Sequence, residues 1–133
     1  TIEGVTFDTA HHPRGNGGGR PMNRNNSIDA LAADTVFTYA NDLGQEPPDL
    51  VIRSHIHQYR DSFNHFRTRA ITTPCWTGPT GYIQRIAPGV IPDLGAVLVH
   101  CSTGHYEVEV LQYRPKPSPF YSLGSLKPYD PSI

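Results

Sequence analysis

The chain has 133 residues, enough for one compact domain with its own core and too few for two. Eleven basic and twelve acidic residues leave a formal charge of −1. That excludes a uniformly basic nucleic-acid binder, and no apolar run approaches the ~20 residues of a membrane helix.

Thirteen Pro and twelve Gly beside 37% hydrophobic residues describe a loop-rich globular domain. Disorder is excluded because Val, Ile, Leu and aromatic residues recur in strand-like blocks. Residues Ile2–Thr9 alternate and favour extended backbone, so a strand is expected there, ending at Ala10-His11-His12-Pro13, where Pro13 stops it. Arg14–Asn26, dense in Gly, Asn and Arg, reads as a long mobile loop; it lacks the G-x-x-x-x-G-K-[ST] pattern of a phosphate cradle. A helix should follow, with Ser27 as N-cap, Asp29 in the first turn and Gly44 as C-terminal cap. Its apolar stripe is Ile28, Ala32, Val36, Tyr39 and Leu43, at spacings of three and four. Pro47-Pro48 prevents the helix from resuming, and Asp49–Ser54 is a short apolar strand of the kind buried in a parallel sheet. Strand, helix and strand make a βαβ unit.

Beyond that unit, Ser62–Thr73, Tyr82–Ala87, Gly95–Cys101 and Tyr106–Arg114 read as antiparallel strands, the last two joined tightly at Thr103-Gly104. The fold class expected is therefore α/β over residues 1–114. Residues 115–133, with five prolines, read as an extended Pro-rich tail. Cys75 and Cys101 show no C-x-x-C spacing, so reduced thiols in a cytoplasmic protein are expected. With no signal peptide and no initiator Met, the chain reads as a segment of a longer polypeptide or a processed product.

The chemistry lies in the histidines, seven in all. Ser54-His55-Ile56-His57 directly follows the second strand, and His11-His12 ends the first. Parallel strands of one βαβ unit present their carboxyl ends at a single edge, where α/β sheets bind ligands. His11, His55 and His57 should converge there. Three imidazoles without a thiolate suit a borderline metal such as Zn, Mn, Fe or Ni.

At these residues the chain resembles the C-terminal half of the calcineurin-like metallophosphoesterases, whose site combines D-x-H, G-D, G-N-H-[DE], an isolated His and G-H-x-H. Ala10-His11-His12-Pro13 resembles the isolated-His motif, and Ser54-His55-Ile56-His57 resembles G-H-x-H with Ser for Gly. Thr73-Pro74-Cys75-Trp76, the Tyr82 and Arg85 pair and Leu94–Val99 are similar to the family's closing strands, so the resemblance covers roughly residues 2–114. It implies half of a two-sheet sandwich and phosphomonoester or phosphodiester hydrolysis by a metal-bridging hydroxide. It also implies two divalent metals in the complete site, one held by His11 and His55 and the other by His57. His12 would then be a neighbour on the substrate side, beside Arg14.

D-x-H, G-D and G-N-H are nowhere in the chain. Three neutral imidazoles cannot offset the four positive charges of two metals. Alone, the chain should hold one metal or none tightly and should not hydrolyse phosphate esters efficiently. The expected partners are an N-terminal segment supplying the missing motifs and a phosphate-ester substrate, nucleotide or nucleic acid included.

Other residues carry weaker signals. His55-x-His57-x-x-x-Asp61 approximates a cupin metal motif, although the capped helix ahead of it argues against an all-β fold. Asp8 reads as a strand residue or as an acceptor orienting a ring. Arg14, Arg20 and Arg24 lie on the Gly-rich loop, where they steer an anion or remain solvated. His65, His100 and His105 read as ordinary strand or turn residues, and Arg53, Arg67 and Arg69 as salt-bridge or rim positions. Trp76 and Tyr82 are expected in the core or at the site's mouth.

Overall fold

A computed structural model of the chain describes residues 1–13, 23, 25–78, 81, 85 and 91–114. Four strands form a mixed sheet and two more a separate antiparallel hairpin, with one long helix between the first two strands. The fold is α/β, as the patterning predicts.

β1 spans Phe7–Ala10, shorter than the Ile2–Thr9 expected. Glu3 and Gly4 take positive φ (48° and 83°), and Ile2 and Val5 exchange backbone hydrogen bonds of 2.9 and 2.8 Å across that turn. The chain therefore folds back before the strand begins. α1 spans Asn26–Phe37 and runs directly into a π-helical turn, Thr38–Leu43. Gly44 ends it in the left-handed region at φ 57°, as the sequence predicts. The N-terminus differs from expectation. The capping position is Asn25, without a side-chain cap, and Ser27 lies two residues further in, where its hydroxyl accepts a 2.9 Å hydrogen bond from Arg60.

β2 is Leu50–Arg53, and it pairs parallel to β1 in the register Phe7↔Leu50 through Ala10↔Arg53. Thr6 and Asp49 lock the start of that pairing, with Thr6 N and Oγ1 both donating to Asp49 Oδ2 at 2.8 and 2.7 Å. β3 (Arg60–Asp61) and β4 (Arg69–Thr72) complete the sheet in the order β1-β2-β4-β3. Here the expected antiparallel strand over Ser62–Thr73 is corrected. Only Arg69–Thr72 is extended, and it runs parallel to β2. Ser62–Thr68 instead loops out, with Phe63 at φ 49° and its N–H bonded to Asp61 Oδ1 at 2.7 Å.

Ile28, Leu31 and Ala32 of α1 close on Val51 and Ala70 of the sheet, all 4% exposed or less. Burial there contributes ~1.5–3 kcal/mol per large apolar side chain. The buried face is Ile28, Leu31, Ala32 and Thr35, rotated from the predicted stripe, whose Val36 and Tyr39 are only half-buried.

β5 (Leu94–Ser102) and β6 (His105–Tyr113) pair along their whole length. Thr103 and Gly104 turn the hairpin with φ 50° and 78°, the twist that a two-residue loop needs. Val97, Val99 and Cys101 oppose Val110, Val108 and Tyr106 on one half-buried face. The hairpin is tied to the rest of the chain by Gly104 N donating to Glu3 O (2.7 Å), by Tyr106 Oη donating to Asp49 O (3.4 Å), and by a Cys75–Leu94 bridge.

The Gly-rich loop with Arg14, Arg20 and Arg24, the residue Tyr82 and the Pro-rich tail lie outside the described residues. Most of the strand expected over Tyr82–Ala87 lies there too, and its one described residue, Arg85, is helical. Trp76 is 70% exposed, which removes it from the core. No described helix is long and apolar enough to cross a membrane.

Candidate metal centre

β1 and β2 end side by side, because Ala10 pairs with Arg53. One further contact carries the pairing past the strands: Ser54 N donates to His11 O at 3.1 Å. The segment after each strand is thus held beside the other, and each carries histidine at once. Arg53 braces the edge from below. Its buried guanidinium donates to Asp8 Oδ2 at 2.9 Å and to Asp8 O at 3.0 Å, so Asp8 serves Arg53 and not a histidine ring.

His11, His12 and His55 come together. Ring centroids lie 4.6 Å apart for His11 and His12, 5.3 Å for His11 and His55, and 4.3 Å for His12 and His55, all edge to face. One ring nitrogen from each lies within 4.8 Å of those of the other two, and all three side chains are exposed. Among the described residues no carboxylate or thiol joins this group.

His57 is not in the group. An H-x-H pair on extended backbone would project both rings to one side. β2 has already ended at Arg53, however. Ser54–Ile56 closes a three-residue turn, with Ile56 N donating to Ser54 O at 2.8 Å around His55 at φ 67°. That is the hydrogen-bond pattern of the rare γ-turn. His57 is also left-handed, at φ 56°. The two rings consequently part. His55 goes to the His11–His12 edge, while the backbone of His57 is tied to the segment before β5, its carbonyl accepting a 2.8 Å hydrogen bond from Asp93 N. Its Nδ1 is buried and has no hydrogen-bond partner among the described residues.

His12, expected as a neighbour on the substrate side, joins His11 and His55 in the group. The signal available was Pro13, since a chain stopped there need not keep the strand's alternation at His11-His12. Arg14, expected on the substrate side, lies outside the described residues. Of the other histidines, His65 Nδ1 meets Asp29 at 3.2 Å and His100 Nε2 meets Glu109 at 2.9 Å.

Asp61, the carboxylate of the cupin-like spacing, is only 2% exposed and committed elsewhere. It receives Arg69 Nε and Nη2 at 2.9 and 2.6 Å, and Tyr59 Oη at 2.5 Å. Burial alone would raise its carboxyl pKa. The hydrogen bonds from Arg69, Tyr59 and Phe63 N, with the charge of Arg69, outweigh burial and hold it below the ordinary value. It is a structural ion pair.

The donor set fits a metal. Four-coordinate zinc with ~2.0–2.1 Å bonds to nitrogen separates its ligand atoms by roughly 3.3 Å. Exposed side chains whose nitrogens lie within 4.8 Å reach that by small rotations. No family model matches the chain, and no curated protein or solved structure matches it.

Proposed function

We propose that the chain supplies the imidazole half of a two-metal phosphoesterase centre of the calcineurin-like type. The observation that carries this reading is the meeting of His11 and His55 at the carboxyl edge of a parallel strand pair. In the proposal His11 and His55 hold one ion, and His57, whose buried Nδ1 lacks a described partner, holds the other. Ions held there would supply Lewis-acid activation of water and of the phosphate ester. The protein's own part is to fix the rings through the Ser54–His11 backbone contact and the turn at His55. The carboxylates come from a segment outside these 133 residues, in the same polypeptide or a partner, and complete the other half of the two-sheet sandwich. The unpaired thiols of Cys75 and Cys101 suit a cytoplasmic setting.

The test begins with the sequence preceding Thr1, or a co-encoded partner, read for D-x-H, G-D and G-N-H. The assembled protein, given Mn2+, should then hydrolyse an aryl phosphodiester or monoester. His55→Ala should lower that rate by at least the roughly 100-fold that even outer-shell losses reach. Absence of those motifs together with absence of hydrolysis rejects the reading. The second reading, a structural or assembly module of the same shape, is favoured by the lack of any carboxylate in the histidine group among the described residues.

A further inference from the structure

The three converging rings are not the three that the phosphoesterase pattern assigns, and that difference has chemical content. His12 lies closer to His55, ring to ring, than His11 does (4.3 against 5.3 Å). A ring at that distance from two other imidazoles cannot be a distant substrate contact. We propose that His11, His12 and His55 form a self-contained three-imidazole site that binds one late divalent transition-metal ion, Zn2+ among them, without any carboxylate. The proposal rests on the metal reading of this edge and adds His12 and a metal class to it.

Three observations carry it. The nitrogens of three residues from two separate loops lie within 4.8 Å of one another. Those loops are fixed to each other by backbone, through Ser54 N and His11 O, so the convergence does not depend on side-chain rotamers alone. His55 sits at φ 67°, a region a non-glycine residue enters at a cost, and in doing so it brings its ring to the other two. Strain of this kind persists where surrounding structure enforces it.

The donor set narrows the metal to a class. Neutral imidazole nitrogens suit Zn, Cu and Ni, and the order of affinity rises from Mn2+ to a maximum at Cu2+ and falls again at Zn2+. Mg2+ and Mn2+ prefer carboxylate and water oxygen. With three protein ligands, one coordination position stays open, the arrangement that catalytic zinc sites keep. Such a site would load zinc before any carboxylate segment arrives.

The experiment uses the 133-residue chain stripped with a chelator and titrated with Zn2+ and Co2+ against a chromophoric competitor. One ion per chain is expected, with Mn2+ and Mg2+ at least tenfold weaker. His11→Ala, His12→Ala and His55→Ala should each weaken binding by about 10- to 100-fold, and His105→Ala should leave it unchanged. The visible bands of bound Co2+ should be intense, as four-coordinate cobalt gives, and should weaken in His12→Ala. Circular dichroism of each variant checks folding, and His12→Asn provides a second, more conservative removal of the imidazole. Unaltered zinc affinity in both His12 variants overturns the proposal, as does an unliganded wild-type chain at saturating zinc. Zinc binding retained in an assembled protein that hydrolyses no phosphate ester would reject the phosphoesterase reading and leave this site standing. Hydrolysis retained in an assembled protein whose isolated chain binds no zinc would do the reverse.

Discussion

Asp61 shows how one residue's environment settles its role. A carboxylate that is 2% exposed would be costly without partners, yet Arg69, Tyr59 and the Phe63 amide satisfy it. Asp61→Asn would leave the Arg69 guanidinium, itself largely buried, without its counter-charge. The expected loss is about 3–5 kcal/mol of stability at neutral pH, measured by urea denaturation. The pH dependence has a definite sign. The folded carboxyl titrates below its ordinary 3.8, so the unfolded chain binds the proton first as pH falls. Asp61 therefore contributes fully above that ordinary value, and its contribution disappears as pH drops through the lower folded value. Asp49, lowered by its Thr6 hydrogen bonds against the raising effect of burial, acts in the same direction. Stability of the parent chain should fall below pH ~4, and the Asp61→Asn chain should show a shallower acid slope. An unchanged slope would sink this account. At this scale the histidines were legible as chemistry, because an imidazole pair after a strand is visible as text. Which three would meet was not, since that depended on φ at His55 and His57.

Elements were legible where their period was long enough to register. β5 and β6 are nine residues each, the first opening on a continuous apolar run and the second alternating over His105–Val110, and the helix holds an apolar face through several turns, so all three appear close to where the patterning puts them. β3 and β4 have only two and four residues, too few for a period, and nothing in Arg60–Asp61 or Arg69–Thr72 marks the strand's direction. Hence the parallel pairing of β4 with β2 came only from the fold. The hairpin also holds a glycine whose need is invisible in sequence. A Cβ on Gly95 would lie 2.0 Å from Leu111 O on the partner strand, whereas one on Gly44, at φ 57°, meets nothing within 4 Å. Gly95→Ala should therefore cost about 3 kcal/mol or more through displacement of β6. Gly44→Ala should cost only the roughly 1–2 kcal/mol of left-handed backbone strain. Equal costs, measured by thermal unfolding, would show that the hairpin has room to shift.

For the whole molecule, the parallel pair β1 and β2 joins residues more than forty positions apart, and the histidine edge sits on that junction. A metal bridging His11, His12 and His55 would bind the folded chain and not the unfolded one, so it should stabilise the fold by mass action. Zinc at ~100 times its Kd should add about 2.7 kcal/mol, raising the thermal midpoint until a chelator reverses it. No shift in midpoint would mean that the three rings do not act together in the folded chain.

The amino-acid sequence by itself determined the α/β class, the βαβ unit and the edge at which histidines would gather. Those follow from hydrophobic period, capping residues and the rule that parallel strands share a carboxyl end. Tertiary structure alone decided the direction of β4, the burial of Asp61 with Arg69, and the exchange of His57 for His12 in the converging group. Each depends on where the chain leaves a strand and by what backbone angles. A turn at Ser54–Ile56, closed by one hydrogen bond, redirects two rings that strict alternation would have kept together.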